Sequence, residues 1–292
     1  MVYVVQYPAR KKSPVNYDTG CSPMKLANMN IVVSGAAGLL GTELVKRLLE
    51  NGAKVLMLDT NSTSLEKLSI EIQEKHPRSF EAAECDVSDE GQIKEAIERF
   101  ENVYGHLRGA INNASINPKV EDGVSNFTNM ETFSLLQWNR EISIGLTGAL
   151  FLSKLTAKSI IENSSSGAIL NVASHFSVAA PNHSLYEIEG LPDTMQPKKP
   201  VSYSVVKHGL IGLTKYLATY YAENNIRVNA ISPGGIFNDQ SPSFVSKYSK
   251  NVPLGRMAQK EEVANAAIFL LSEESSYITG SNLLVDGGRT IW

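Results

Sequence analysis

The sequence is poor in cysteine and carries no excess of positive charge. Two cysteines, Cys21 and Cys85, occur in 292 residues, which is typical of a reduced, cytoplasmic protein rather than a disulfide-stabilised one. No cluster with the spacing of a metal site is present, so we expect no metal. The formal net charge is −3 without a basic stripe, and we expect no nucleic-acid partner. No apolar run approaches the roughly 18 residues of a membrane span, so we expect no membrane partner.

Apolar residues make up 42% of the chain, and from Met29 onward they follow a regular order. Short β-branched runs alternate with stretches that repeat apolar residues at helical spacing. This order predicts an α/β fold with one domain over residues 29–292: a Rossmann-like, doubly wound parallel sheet of about seven strands with helices on both faces. Residues 1–28 contain three prolines without periodicity, and we predict an irregular N-terminal extension there. The predicted strands are 29–34, 53–58, 79–85, 107–112, 168–173, 226–231 and 282–285, and helices are predicted at 42–50, 62–75, 88–104, 131–163, 201–223 and 260–271.

A glycine-rich turn follows the first predicted strand. Gly35, Gly38 and Gly41 lie just before a helix, so the free N–H groups of its first turn can bind a pyrophosphate that the glycines allow to come close. Asp59 ends the second predicted strand, where a carboxylate accepts hydrogen bonds from adenosine ribose hydroxyls and repels a 2′-phosphate. We therefore predict NAD as the cofactor, since no basic group near Asp59 could hold the phosphate of NADP. The alternative is a carboxylate that only caps the next helix.

Polar residues follow several of the predicted strands, at 86–87, 112–115, 173–174 and 232–234. The carboxyl ends of parallel strands lie at one edge of a sheet, where ligands bind in this architecture. We expect these residues to gather at one site.

Tyr203 precedes Lys207 by four residues, and Ser174 lies 29 residues before Tyr203. On a helix, Tyr203 and Lys207 share a face. An ammonium beside a phenol favours the phenolate and moves its pKa from about 10 toward neutrality. The pair therefore indicates acid–base chemistry, although a surface Tyr and Lys on an amphipathic helix would give the same spacing.

These motifs, in this order, resemble the short-chain dehydrogenases/reductases from Met29 to the C-terminus. The resemblance implies that Ser174, Tyr203 and Lys207 are catalytic, with Ser174 positioning the substrate oxygen and Lys207 also binding the nicotinamide ribose. Members of the family are commonly homodimers or homotetramers, and we expect the same here. The resemblance also implies that a group of residues contacts the cofactor: Ser34, Gly35, Gly38, Leu40, Gly41, Asp59, Asp86, Val87, Asn113, Ala114, Tyr203, Lys207, Pro233, Gly234 and Ile236.

Three features depart from the typical pattern of that family. The middle glycine of the turn falls at Gly38, and Gly145 stands where typical members carry an Asn that completes a catalytic tetrad through a bound water. The step from Ser174 to Tyr203 is long, which adds a polar loop at 181–200 beside the substrate. Together these features resemble the flagellin-modification oxidoreductases of bacterial nonulosonic sugar pathways. The segment 238–257 follows the predicted nicotinamide side and is interpreted as a lid.

The leading hypothesis is an NAD-dependent oxidoreductase that interconverts a hydroxyl and a ketone on a polar small-molecule substrate, a sugar or sugar phosphate. One alternative is a 3-oxoacyl-thioester reductase, for which we would expect NADPH and basic residues near Asp59. Another is a catalytically silent NAD-binding protein, supported only by Gly145. The loop 181–200 could also be a passive surface loop, polar because loops are.

Overall fold

The computed structural model describes residues 24–117 and 130–291. In these ranges seven strands alternate with eight α-helices. The strands are β1 (Asn30–Ser34), β2 (Lys54–Asp59), β3 (Phe80–Glu84), β4 (Gly109–Asn112), β5 (Gly167–Val172), β6 (Ile226–Pro233) and β7 (Asn282–Val285). The helices are α1 (Leu39–Glu50), α2 (Ser62–Gln73), α3 (Glu90–Tyr104), α4 (Leu135–Ile142), α5 (Gly148–Glu162), α6 (Val201–Tyr220), α7 (Pro242–Ser249) and α8 (Lys260–Leu271).

The seven strands form one parallel sheet in the order β3-β2-β1-β4-β5-β6-β7. The chain builds outward from β1 to β3 and then crosses to β4 on the other side of β1. Ligands bind at such a switch point, beyond the carboxyl ends of the strands. The predicted doubly wound parallel sheet is confirmed.

The apolar core lies on both faces of the sheet. Along β1, Ile31 and Val33 contact the core on one face, with α1 and α8, whereas Val32 contacts the core on the other, with α3 and α5. Successive side chains of a strand point to opposite faces. All five residues of β1 are buried, as expected for a strand covered on both faces, and its three central residues are apolar.

Some element boundaries differ from the sequence-based ones. The side chain of Asp89 accepts hydrogen bonds from the N–H groups of Gly91 and Gln92, so α3 begins at Glu90 rather than at 88. The predicted helix 131–163 is interrupted: α4 and α5 are joined by a π-helical turn, Ser143–Thr147. The predicted lid 238–257 contains a helix, α7, with Ser241 as its N-cap and Pro242 in its first turn.

The predicted extension 1–28 lies outside the described residues up to position 23. Residues 24–28 form a turn in which Leu26 is buried in the core and its N–H donates to the carbonyl of Asn51 at 3.0 Å. This part of the predicted extension therefore packs against the end of α1.

One stretch in the described ranges, Leu135–Glu162, is long and apolar enough to cross a membrane by length and composition alone. Half of its most apolar window is buried inside the domain, as in a core helix. Within residues 24–117 and 130–291, no three His, Cys, Asp or Glu side chains come together in a group that could hold a metal ion.

Candidate active site

A cavity of about 640 Å³ opens at the carboxyl edge of the sheet. It runs from the glycine-rich turn after β1, past the ends of β4 and β5, to the loop after β6. Most of the predicted site residues line it: Gly35, Gly38, Leu40, Asp59, Asp86, Val87, Asn113, Ala114, Ser174, Tyr203, Lys207, Pro233, Gly234 and Ile236. The strand ends therefore gather these residues as the parallel topology requires.

Ser34 and Gly41 do not line the cavity but shape the turn beside it. Ser34 Oγ accepts hydrogen bonds from the N–H groups of Asn113 and Ala114, at 3.0 and 3.2 Å, and so ties the end of β1 to the end of β4. A Cβ on Gly41 would lie 2.0 Å from the carbonyl oxygen of Gly35, so only glycine fits there. Gly35 itself has a φ of +62°, which glycine adopts without strain.

The first turn of α1 faces this end of the cavity. Its N-cap, Gly38, supplies no side-chain hydrogen bond to the helix, so the turn's N–H groups are not satisfied by a capping side chain. Such a helix end binds anions through those N–H groups and the positive end of the helix dipole.

Asp59 lies beside that turn, at the end of β2. Its Oδ2 accepts a hydrogen bond from the N–H of Ala37 and its Oδ1 from the N–H of Asn61, both at 3.0 Å. A carboxylate has about four lone-pair positions, so acceptor capacity remains for two further donors. The hydrogen bond from Ala37 also orients the carboxylate toward the glycine-rich turn. A carboxylate that only capped the next helix would not need this hydrogen bond.

Asp86 and Val87 follow β3 and form the next part of the wall. Asp86 Oδ1 accepts hydrogen bonds from the N–H and the hydroxyl of Ser88, at 2.9 and 2.7 Å, which fixes the turn. Val87 is buried and packs against Gly148 of α5. Burial raises the pKa of the adjacent Cys85 thiol to about 11, so this cysteine is not a reactive thiolate at neutral pH.

The end of β5 and the start of α6 bring Ser174, Tyr203 and Lys207 together. Ser174 and Lys207 are buried, and the Lys207 Nζ donates a hydrogen bond to the carbonyl oxygen of Val172 at 2.9 Å and lies 5.5 Å from the centroid of the Tyr203 ring. The pKa of Tyr203 is raised above its usual value, because burial outweighs the opposing effect of its hydrogen bond with Ser174. The lowered pKa of Tyr203 that was expected from the neighbouring Lys207 is therefore not found. Burial, followed by the charge of Lys199, lowers the pKa of Lys207 to about 8.

His175 follows Ser174 but does not act as a base at neutral pH. Burial lowers the pKa of its imidazole to about 4, and Nδ1 lies 3.2 Å from the carbonyl oxygen of Pro233. The ring packs 4.0 Å from the Phe176 ring, centroid to centroid. His175 is therefore a neutral ring in the wall between β5 and β6.

The loop 181–200 and the predicted lid 238–257 pack against each other at the far end of the cavity. Tyr186 of the loop stacks on Phe244 of α7 at 5.8 Å between ring centroids, and both belong to one apolar cluster with Leu185 and Tyr248. The Tyr248 hydroxyl accepts a hydrogen bond from the N–H of Gly235 at 2.5 Å. The loop is therefore not a passive surface segment throughout, because its centre is part of the wall.

Gly145 lies in the π-helical turn between α4 and α5 and is buried. A Cβ at this position would lie 2.6 Å from Cγ1 of Val206 on α6. Real Cβ atoms do not approach that closely, so the helices can pack here because residue 145 has no side chain. Close packing is a physical reason for the glycine that does not require loss of function.

Two family models match the chain: "short chain dehydrogenase" over residues 29–187 and "Enoyl-(Acyl carrier protein) reductase" over residues 193–290. The chain belongs to the short-chain dehydrogenase family. The sequence-based family assignment is thereby confirmed.

Relatives with different activities are equally similar to this dehydrogenase. A 3-oxoacyl-[acyl-carrier-protein] reductase from Aquifex aeolicus is 30% identical over 269 residues, covering 91% of this chain and 98% of that protein. A post-translational flagellin modification protein A from Campylobacter coli is 30% identical over 263 residues, covering 90% and 98%. Overall similarity therefore shows an oxidoreductase and leaves its substrate open.

Two solved structures show the same fold with different nucleotides. A short-chain dehydrogenase from Leptospira borgpetersenii with bound NAD+ has a TM-score of 0.78 and 33% identity, covering 91% of this chain and 94% of that one. A gluconate 5-dehydrogenase from Burkholderia cenocepacia in complex with NADP and tartrate has a TM-score of 0.78 and 25% identity, covering 92% and 98%. The dehydrogenase family uses a nicotinamide dinucleotide, and the cleft from Gly35 to Ile236 has the helix end and the carboxylate that fit one.

Several residues that line the cavity were not among the site residues predicted from the sequence. Arg140, Phe176, Lys199 and Tyr248 all contribute to its wall. None of them belongs to a motif with fixed spacing, because each reaches the site from a helix or loop whose position depends on packing. The polar composition of the loop 181–200 was the one available signal for Lys199.

Proposed function

We propose that this dehydrogenase uses NAD to interconvert a hydroxyl and a ketone on a polar substrate, a sugar or sugar phosphate. The observation that carries the proposal is the convergence of Ser174, Tyr203 and Lys207 on one wall of a cavity that has Asp59 at its opposite end. An acid–base group and a nucleotide site in one cleft are what hydride transfer to or from a nicotinamide requires.

A bound nicotinamide would supply the hydride transfer to or from the carbinol carbon of the substrate. Ser174 Oγ holds the substrate oxygen. Tyr203 Oη takes the hydroxyl proton during oxidation and returns it during reduction. Lys207 would stabilise the phenolate and hold the nicotinamide ribose, and its hydrogen bond to Val172 keeps the ammonium in place.

The preference for NAD rests on Asp59. Its remaining acceptor positions fit the two ribose hydroxyls, and its charge would repel a 2′-phosphate. Among the described residues that line this end of the cavity, Leu39, Leu58 and Thr60 surround Asp59 and none is basic. A 3-oxoacyl-thioester reductase that uses NADPH would need such a cation.

A sugar-type substrate is supported by the covered end of the cavity. The rings of Tyr186, Phe244 and Tyr248 and the side chains of Asn238 and Gln240 line it, so its wall is both aromatic and polar. Among the similar proteins, the gluconate 5-dehydrogenase acts on a sugar acid by its name. The equally similar 3-oxoacyl reductases keep the thioester as the second candidate.

The test is Tyr203→Phe, which keeps the ring and removes the exchangeable proton. We expect NADH binding, measured by fluorescence titration, to be retained. Turnover in a screen of sugars, sugar phosphates and 3-oxoacyl thioesters should fall by about 10²–10⁴-fold, as for a lost general acid–base group. Tyr216→Phe, an exposed phenol on the same helix, is the control. Retained turnover in the Tyr203 variant would move the acid–base role elsewhere, and binding of NADH without turnover by the wild-type protein would favour a silent NAD-binding protein.

We also propose a cytoplasmic homodimer or homotetramer. The exposed apolar side chains of α4, α5 and α6, which include Leu136, Leu150 and Tyr220, support association through these helices. Sedimentation velocity over a range of concentrations tests this, and a monomer at every concentration would contradict it.

A further inference from the structure

A buried carboxylate near the proposed acid–base pair has no part in the proposed reaction. Glu141 is 3% exposed, and within α4, all of which the structure describes, it is the one buried residue. A helix on the surface of a domain normally buries apolar residues, and carboxylates are almost never fully buried unless they are paired. The buried position of α4 therefore holds a group that needs hydrogen-bond partners.

Both carboxylate oxygens of Glu141 accept hydrogen bonds. Oε2 accepts one from the hydroxyl of Ser202 in α6, and Oε1 accepts one from Nε2 of Gln137, one turn earlier in α4, at 2.9 Å. Ser202 is itself fully buried. Hydrogen bonds to a carboxylate are roughly twice as strong as those between neutral groups. Gln137 therefore orients the carboxylate, and the carboxylate joins α4 to the second residue of α6.

The helical turn that contains Ser202 also carries Tyr203. α6 begins at Val201, and its N-cap residue, Pro200, supplies no side-chain hydrogen bond to the helix. Helix ends fray, and the first N–H groups of a helix lack partners within it. The hydrogen bond to Glu141 attaches this uncapped turn to α4, and a carboxylate there also suits the positive end of the helix dipole. The turn that carries the phenol is thus held from outside the helix.

A second contact between the same two segments lies one turn further along each. Gly145 follows Glu141 by four residues, and Val206 follows Ser202 by four. A Cβ on residue 145 would lie 2.6 Å from Cγ1 of Val206. Residues four apart lie on one side of a helix, so both contacts belong to one seam. The glycine allows close approach at one end of the seam, the carboxylate bonds across the other, and Tyr203 lies between them on α6.

Glu141 does not act on the acid–base pair through its charge. The pKa of Tyr203 is shifted by burial and by Ser174. The pKa of Lys207 is shifted by burial and by Lys199. Glu141 is not among the causes of either shift, and it does not line the cavity. Its influence on the reaction therefore passes through the position of the first turn of α6.

We propose that Glu141 is a positioning residue: its hydrogen bond to Ser202 fixes the first turn of α6 and so holds the Tyr203 hydroxyl where it exchanges a proton with the substrate. This inference rests on the proposed function, because it assigns a role in the same reaction. Glu141 contacts neither the substrate nor the cofactor in this proposal.

The first test replaces the carboxylate. Glu141→Leu removes the hydrogen bond and keeps the site filled. We expect kcat on the best substrate of the screen to fall about 10- to 100-fold, because a displacement of about 1 Å can cost 10²-fold in rate. The Kd of NADH should change less than about threefold, because most of its predicted contacts lie away from this turn. Glu141→Gln keeps an oxygen acceptor for Ser202 and should retain kcat within about threefold of the wild type.

A double variant separates positioning from stability. Glu141→Leu and Ser202→Ala each leave a buried polar group without its partner, so each should lower the free energy of unfolding. Combining them replaces both partners by apolar groups, which should restore most of that stability. The kcat of the double variant should nevertheless stay low, because the hydrogen bond is still missing. Recovery of kcat together with stability would mean that Glu141 has only a structural role, and the inference would be wrong.

Glu101→Leu is the matched control. Glu101 of α3 accepts a hydrogen bond from the hydroxyl of Ser159 in α5, and neither residue lines the cavity. This variant should lose stability and keep the wild-type kcat. A loss of kcat as large as in Glu141→Leu would show that turnover follows stability alone, which overturns the proposed role.

Hydrogen exchange, measured by mass spectrometry, decides the matter if the wild type turns over no substrate in the screen. In α6 the N–H groups of residues 205–207 donate to the carbonyls of residues 201–203, so a loosened first turn exposes them. Peptides that cover 204–208 should exchange about 10-fold faster or more in Glu141→Leu than in the wild type or Glu101→Leu, as expected for a lost hydrogen bond to a charged group. This result supports the positioning role even though the proposed activity has failed. Unchanged exchange in Glu141→Leu refutes the role whether or not the wild type is active.

Discussion

Replacing Gly145 by Asn tests whether the missing tetrad residue reflects packing or loss of function. The Cβ that Asn introduces would lie 2.6 Å from Cγ1 of Val206, and Val206 is buried. Overpacking of a closed core costs typically about 1–3 kcal/mol. The better helix propensity of Asn returns only a few tenths of a kcal/mol. We therefore expect a net loss of about 1–2.5 kcal/mol in the free energy of unfolding.

Turnover should not rise in Gly145→Asn. Val206 immediately precedes Lys207 and lies one turn beyond Tyr203 on the same helix. A displacement of Val206 therefore moves the two groups proposed to exchange and stabilise the proton. A decayed dehydrogenase would behave in the opposite way, because restoring the amide would restore a water-mediated relay.

The assay is a double-mutant cycle with Val206→Ala, read by chemical denaturation and by initial rates on the best substrate. Val206→Ala creates the space that the introduced Asn side chain otherwise lacks, so the double variant should be more stable than the sum of the two single losses predicts, by about 1 kcal/mol or more. Gly145→Ala is the matched control, since it adds the clashing Cβ without the amide. Higher turnover in Gly145→Asn, or a stability equal to that of the wild type, would refute the packing argument.

Two further predictions concern the cofactor and the pH dependence of stability. Asp59→Ala with Thr60→Arg should narrow or reverse a preference for NADH over NADPH, because the repelling carboxylate is lost and a partner for the 2′-phosphate is gained. Fluorescence titration of both nucleotides measures this preference. Tighter binding of NADPH than of NADH by the wild type would contradict the NAD assignment. The folded-state pKa of His175 is about 4, below the ordinary value of 6.5. The stability that the neutral imidazole contributes is therefore present above pH 6.5 and is lost as the pH falls toward 4, because only the unfolded state binds the proton in that window. The loss in the free energy of unfolding is at most about 3 kcal/mol. His175→Asn should flatten the pH dependence of the free energy of unfolding between those values, and identical slopes in both proteins would show that His175 does not titrate as described.

Much of the nucleotide side could be predicted from the sequence. The apolar run of β1, the glycine turn and Asp59 lie within 30 residues of each other along the chain, and their geometry follows from local backbone rules and from the parallel topology. The cavity is lined by Gly35, Gly38 and Asp59 as the motif predicts. Their contacts with a cofactor stay a prediction that the titrations test.

The substrate side could be predicted only in part. The sequence located the loop 181–200 and the lid 238–257 but gave neither the helix α7 nor the packing of Tyr186 on Phe244. Nor did it predict the π-helical turn within 131–163, at which α6 comes close to Gly145. Contacts of this kind join residues about 60 positions apart, and local periodicity carries no information about them.

The sequence by itself determined the alternation of strands and helices, the family, and the shared helix face of Tyr203 and Lys207, because each depends on repeats or spacings of a few residues. Only the tertiary structure decided three contacts of the site. Ser174 forms a hydrogen bond with Tyr203, Val206 leaves no room for a Cβ at residue 145, and the Lys199 ammonium lies over the Tyr203 ring. These three outcomes depend on how β5, the π-helical turn and the loop before α6 pack against one another. Side chains distant in the chain meet there because burial of the apolar faces of the sheet and helices fixes their positions.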